Sequence, residues 1–234
     1  GRRDRVSVPQ LPLALRAPAD QRLDTFVDPP EGAIAALRAL ALGDGALYLA
    51  GPAGSGKTHL ALAVAAAAEG AGRRAAYLPL RSAAGRLRAA LEALEGNDVL
   101  ALDGLEAIAG TREDEVALFD LHNRARAAGT ALLYTADGAP DALALELPDL
   151  RSRLSQCARI RLAPLDDAGR GRVLRERAQR RGLVLEDAAL EWLLRRVGRD
   201  LGGLTALLDR LDRASLAAQR RITVPFLRET LGAD

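Results

Sequence analysis

Gly51-Pro52-Ala53-Gly54-Ser55-Gly56-Lys57-Thr58 reads G-x-x-x-x-G-K-T, the spacing of a phosphate-binding loop. Its flanks suit that reading. Ala46 to Ala50 before it is a short apolar run, as in a buried strand, and His59 to Ala67 after it is rich in helix formers without a breaker. Glycines let the backbone curl until successive N–H groups face one anion-sized hollow. The helix that comes next aims its positive end at the same hollow. Lys57 is placed to reach the outer phosphates and the Thr58 hydroxyl to hold Mg²⁺. A chance glycine-rich turn is the bland alternative, and the strand and helix on either side weigh against it.

Working outward, the next chemistry lies at strand ends. Asp98 to Asp103 is apolar until it closes on a carboxylate. Asp103 is expected to hold Mg²⁺, usually through water, opposite Thr58; a turn aspartate before Gly104 is the alternative. Residues 130–136 form another strand, closed by Asp137. A polar residue there either aligns the attacking water or caps the turn before Gly138, and the residues alone leave both open. Strands at 45–50, 74–79, 98–103, 130–136 and 157–162 alternate with helices over Glu31–Leu42, 57–67, Ser82–Leu94, Glu113–Ala128 and around Leu150–Leu154. After Pro164 the pattern is helical only, over 166–181, 186–197, 200–218 and 224–231, with no strand evident. The chain thus divides into a tail (1–20), a parallel α/β domain with a five-stranded sheet (21–164) and a small all-helical lid (165–234).

Composition is consistent with this. The 234 residues are 49% apolar and only 3% aromatic, so aliphatic side chains must pack the core. A formal net charge of +2 does not require a nucleic-acid partner. Lys57 is the only lysine. One cysteine, Cys157, permits no internal disulfide, and no apolar run approaches the ~20 residues that span a bilayer. With no signal-peptide pattern, a cytoplasmic location and no membrane partner are expected. In the tail, Gln10 to Leu15 sets Leu11, Leu13 and Leu15 in an extended segment fixed by Pro12. Such a segment docks into an apolar groove of a partner or straps onto its own domain.

The loop, Asp103, Asp137 and the helical C-terminal region together resemble the AAA+ ATPases. Gly56 to Leu60 (GKTHL) is similar to the initiator DnaA. Leu147 to Leu154 (LPDLRSRL) and Leu211 to Phe226 (LDRASLAAQRRITVPF) are similar to the DnaA-related group of the regulatory inactivator Hda, and residues 108–110 and 119–124 agree. The resemblance implies a regulator of replication initiation with ADP as its working nucleotide, ATP also being able to bind the complete loop. Gly51 to His59 would hold the nucleotide. Gln10, Leu11, Leu13 and Leu15 match the group's motif for the DNA polymerase III sliding clamp, with Ala14 in place of the usual Pro. Arg153 matches an arginine finger that acts in trans on DnaA, a helix-surface salt bridge being its plainer reading. Arg199 matches the lid arginine that reaches the chain's own nucleotide. A homodimer stays open as its own assembly.

One departure stands out. AAA+ ATPases usually place Glu or Asp directly after the metal-binding aspartate; here that residue is Gly104, and Glu106 is two further on. Binding with weak self-hydrolysis is expected. The chain reads as ending at the lid without a basic stripe, so no sequence-specific DNA contact is expected. Three rivals remain: an autonomous ATPase such as a helicase loader or truncated initiator, a small-molecule P-loop kinase, and an adaptor that only tethers to the clamp.

Overall fold

The computed structural model describes residues 22–196, 201–214 and 221–232, with the backbone alone for 201–205. The tail segment Gln10 to Leu15 and Arg199 lie outside the described residues.

Five parallel strands form the central sheet: β1 (Ala46–Ala50), β2 (Ala75–Pro79), β3 (Val99–Asp103), β4 (Ala131–Ala136) and β5 (Ala158–Arg161). Their spatial order is β2-β3-β4-β1-β5. All strands being parallel, Ala50, Asp103 and Ala136 end on one edge of the sheet. Because β4 lies between β3 and β1, the residues leaving its C-terminal end sit between Asp103 and the phosphate loop.

Period-two alternation sorts the strand residues between two cores. Leu49, Val99, Ala101 and Leu133 face α1 (Ala33–Leu42) and α2 (Lys57–Gly70), meeting Leu37, Leu60 and Val64. Tyr48, Leu100, Leu102, Leu132 and Tyr134 face the other side. There α3 (Leu87–Glu92), α4 (Arg112–Ala128) and α5 (Pro148–Gln156) supply Leu91, Leu118, Leu121, Leu150 and Leu154. Both faces are covered, so the strands are near-continuously apolar, as parallel sheets require.

The helix expected over Ser82–Leu94 is broken in two. Residues Leu80–Ala83 make a 3-10 turn, Gly85 turns back at φ +82°, and α3 starts only at Leu87. The cause is a tertiary cap. The buried Asp114 side chain, from α4, accepts the N–H groups of Gly85 at 2.6 Å and Leu87 at 3.0 Å. Similarly, α1 starts at Ala33 rather than Glu31 because Gly32 takes φ +75°.

Glu115, the next residue of α4, is 0% exposed. One carboxylate oxygen accepts Glu146 N at 2.8 Å and Leu147 N at 2.9 Å; the other accepts Gly110 N at 2.8 Å. It therefore anchors the start of α5, the helix that bears Arg153. Glu115→Ala would strand three backbone donors in the interior, at a cost of about 3 kcal/mol or more. The melting temperature is expected to fall by roughly 6–12 °C in a thermal melt. Glu115→Gln, which keeps one acceptor oxygen, should lose about half as much.

The lid consists of α6 (Asp167–Arg180), α7 (Asp187–Arg196), α8 (Leu201–Ala214) and α9 (Val224–Leu231). Asp166 caps α6 through Gly169 N, and Thr223 caps α9 through Phe226 N. Its core gathers Leu174, Trp192, Leu193, Leu208, Leu211, Ile222 and Leu227. One feature departs from an all-helical lid: β6 (Val184–Leu185) and β7 (Arg221–Ile222) pair in parallel. Two-residue strands are too short to leave a periodic signal in the sequence. Among the described residues no helix is long and apolar enough to cross a membrane.

Candidate nucleotide-binding site

The chain leaves β1 directly into the loop. Gly54 and Gly56 adopt φ +77° and +99°, values that favour glycine, and these turns converge the backbone N–H groups. Helix α2 starts at Lys57, so the first N–H groups of its opening turn have no acceptor within the helix. Gly51 is boxed in: a side-chain carbon there would meet Ser55 Oγ at 2.6 Å and Leu162 Cβ at 2.9 Å. The Ser55 hydroxyl is buried and has no hydrogen-bond partner among the described residues. A buried unpaired hydroxyl within such a loop fits a bound phosphate.

Lys57 donates to the carbonyls of Gly51 and, at 2.9 Å, Pro52, spanning the loop. Burial holds its pKa below the ordinary lysine value, while Glu106, then Asp103 and Asp137, pull it back up. Those three carboxylates therefore favour the charged form of the ammonium. Asp103 is held by hydroxyls: Thr58 Oγ1 at 2.7 Å and Tyr77 OH at 2.6 Å donate to one oxygen, and Thr135 Oγ1 donates to the other. Thr135 in turn accepts Gly104 N at 2.9 Å. Burial, and after it the bond to Asp103, pushes the Tyr77 phenol well above its ordinary pKa. The expected metal pair, Thr58 and Asp103, is thus in direct contact, with its second sphere built. Among the described residues no cluster of three His, Cys, Asp or Glu forms a metal cage. A two-ligand site suits Mg²⁺, which keeps waters and takes phosphate oxygens as its remaining ligands.

Asp137 comes directly after β4 as expected, and its N–H donates to Glu106 Oε2 at 3.2 Å. His59 is placed differently from the sequence expectation that it holds nucleotide. Its buried ring meets Arg22 O at 2.8 Å, the edge of Phe26 at 5.2 Å between centroids, and Arg177 of α6 at 3.5 Å. The ring links an N-terminal strap, residues 22–30 ahead of α1, to the lid.

A cleft of about 420 Å³ adjoins the loop at Ser55, between the strap, the end of β5 and the start of α6. Phe26, Val27, Leu162 and Leu165 supply its apolar walls. Across its mouth Arg172 of the lid donates to Asp28 at 3.1 Å. Its size and apolar lining suit a purine nucleoside. Sequence reasoning missed these residues; the only signal was Phe26-Val27-Asp28 just ahead of Pro29-Pro30.

Arg153 lies apart from this cluster, sharing no hydrogen bond or ring contact with it among the described residues. Its Nε donates to Asn123 Oδ1 at 3.2 Å, and its guanidinium lies 5.9 Å from the centre of the Phe119 ring. Arg151, two residues earlier, is turned inward, donating to Leu145 O with its Nε buried.

Sheet order, phosphate loop and a hydroxyl-bound aspartate at the end of β3 define a P-loop nucleotide-binding protein of the AAA class. Residues 47–142 match the family model described as "ATPase family associated with various cellular activities (AAA)", and residues 167–231 match "Hda, lid domain". The chain belongs to the DnaA-related AAA+ family with an Hda-type lid. An uncharacterised protein of Haemophilus influenzae is 42% identical over 185 residues, covering 79% of this chain and 80% of that protein. Among solved structures, domain III of Thermotoga maritima DnaA superposes with a TM-score of 0.73 at 19% identity, covering 92% of this chain and 97% of that one. AMPPCP-bound DnaA from Aquifex aeolicus gives 0.68 at 20% identity, over 85% and 67%. DnaA bound to AMPPCP and single-stranded DNA gives 0.66 at 19% identity over 82% of this chain, which spans only 65% of that initiator chain.

Proposed function

We propose that this protein regulates replication initiation by stimulating ATP hydrolysis in DnaA. It binds ADP in its own loop, docks on the DNA-loaded sliding clamp through Gln10 to Leu15, and presents Arg153 to the initiator. The observation that carries this reading is the state of Arg153. Its guanidinium is on the surface of α5, with a neutral amide and a ring for neighbours and no ion pair among the described residues. That weighs against the plainer reading of a surface salt bridge, and Arg151 is already committed to Leu145 O. The Hda-type lid supports DnaA as the partner. The cleft beside Ser55 supports a nucleoside diphosphate, which would join the lid to the α/β domain across Asp28 and Arg172.

The test is phosphate release from ATP-bound DnaA with DNA-loaded clamp, with and without this protein. Stimulation is expected only when clamp and protein are both present. Turnover with no need for DnaA would favour an autonomous ATPase instead.

Tail docking has its own measurement. Burying three leucines yields roughly 4–9 kcal/mol gross, and ordering the segment offsets much of it, leaving a contact on the order of micromolar. Leu13→Ala is expected to weaken binding to immobilised clamp about 10- to 100-fold. It should leave nucleotide affinity unchanged, because residue 13 lies far in sequence from the loop. Unchanged clamp binding would return the segment to its other reading, a strap on its own domain.

A further inference from the structure

The strap bridges the two halves of the molecule. Its base is anchored on the α/β domain: Leu23 and Thr25 are buried, and Arg22 O meets the His59 ring of α2 at 2.8 Å. Its tip lies on the lid. Val27 packs against the lid core. Asp28 accepts two hydrogen bonds from Arg172 of α6 on one carboxylate oxygen, from Nε at 3.1 Å and from a terminal guanidinium nitrogen. Both residues line the cleft of about 420 Å³ beside Ser55. Their side chains are 55% and 51% exposed, so the pair stands at the mouth of the cleft and not in the interior.

The backbone at the tip is held against its local preference. Among the described residues Asp28 is the one non-glycine position with a left-handed φ, +51°. It precedes Pro29, and a residue before proline is pushed toward extended backbone. Such a conformation persists only where the surroundings over-determine it. Here the surroundings are Val27 on the lid core and the bonds from Arg172.

We propose that Asp28 and Arg172 form a latch that gates nucleotide exchange at the cleft beside Ser55. The inference rests on the nucleotide-binding reading of the loop and is independent of Arg153. With the pair made, strap and lid are fastened across the mouth, and a ligand enters or leaves when the pair opens. The charges are spent on each other, so the latch slows entry and exit alike and changes equilibrium affinity little. An exposed pair is a weak fastening, which suits a gate that opens at every exchange. The strained tip favours opening once the bonds are broken. Salt weakens the latch, because the screening length falls from about 10 Å at 0.1 M to about 3 Å at 1 M.

The experiment follows methylanthraniloyl-ADP on the full chain by stopped-flow fluorescence, with Mg²⁺, at 0.1 M and 1 M NaCl. Association is read on mixing and dissociation on a chase with excess ADP. At 0.1 M, Arg172→Ala and Asp28→Asn are each expected to raise both rates about three- to fivefold, with Kd within about twofold of wild type. Asparagine tolerates the left-handed backbone as aspartate does, so Asp28→Asn isolates the charge. The double variant should be no faster than either single one, since both remove the same interaction. At 1 M the ratio of variant to wild-type rates should fall toward one. Wild type that takes up no labelled ADP would overturn the latch together with the nucleotide reading of the loop. Binding with equal rates in wild type and both variants would overturn the latch alone. So would faster dissociation matched by an equal rise in Kd, which loss of a direct contact with nucleotide would produce, or a rate ratio that salt leaves unchanged.

Discussion

Arg153→Ala is expected to remove the stimulation of DnaA turnover by on the order of 10³-fold or more while leaving this protein folded and nucleotide-bound. A guanidinium brought to a reacting phosphoryl group is worth about 10³–10⁵ in rate, roughly 4–7 kcal/mol of barrier. Its present surroundings hold it weakly. A 3.2 Å bond from Nε to a neutral amide and a ring centre 5.9 Å away are easily exchanged for phosphate oxygens. Among the described residues no carboxylate must first be given up, which would have cost a competing charged pair. The side chain is half-buried but weakly held, so the structural cost is expected to stay within about 1 kcal/mol. Arg153→Lys keeps the charge but not the planar fork, so it should recover only a small part of the rate. Phosphate release from ATP-bound DnaA with loaded clamp compares wild type with both variants. Stimulation that survives in the alanine variant would sink the proposed mechanism. Arg151→Ala is the contrasting control: that side chain is inward and bonded to Leu145 O, so its loss should appear in a thermal melt.

Lys57→Ala carries the second large effect, a loss of nucleotide affinity of about 100-fold or more, or roughly 3 kcal/mol. The ammonium bonds two loop carbonyls, and Glu106, Asp103 and Asp137 favour its charge. Removing it takes away the positive charge that offsets those carboxylates next to the loop. It also strips Gly51 O and Pro52 O of their shared donor. Equilibrium binding of ADP and ATP reads the effect. Since Lys57 is the only lysine, amine acylation gives an independent measurement. Bound nucleotide should protect the single side-chain amine, and equal labelling with and without nucleotide would overturn the assignment.

Much of the site was legible because local chemistry dictates it. A G-x-x-x-x-G-K-T loop after a strand needs no tertiary information to be read, and neither does a buried apolar run that stops at Asp103. Strand boundaries fell within a residue of expectation because burial on both sheet faces leaves near-continuous apolar runs. Other features depend on partners distant in sequence. The break at Gly85 is imposed by Asp114, 29 residues away. Tyr77 and Thr135 reach Asp103 from the strands on either side of β3. His59 looked like part of the nucleotide motif, yet its ring serves the strap and lid.

The amino-acid sequence by itself determined the alternation of strands and helices, the phosphate loop, the aspartate that closes β3 and the helical lid, since each is set by residue type and spacing over a few neighbours. Only the tertiary structure decided which arginine on α5 turns inward to Leu145 O and which reaches Asn123, which walls close the cleft beside Ser55, and that Glu106 lies beside Gly104. Those outcomes turn on φ angles and on contacts between elements far apart in the chain, where a one-residue rotation exchanges an inward side chain for an outward one.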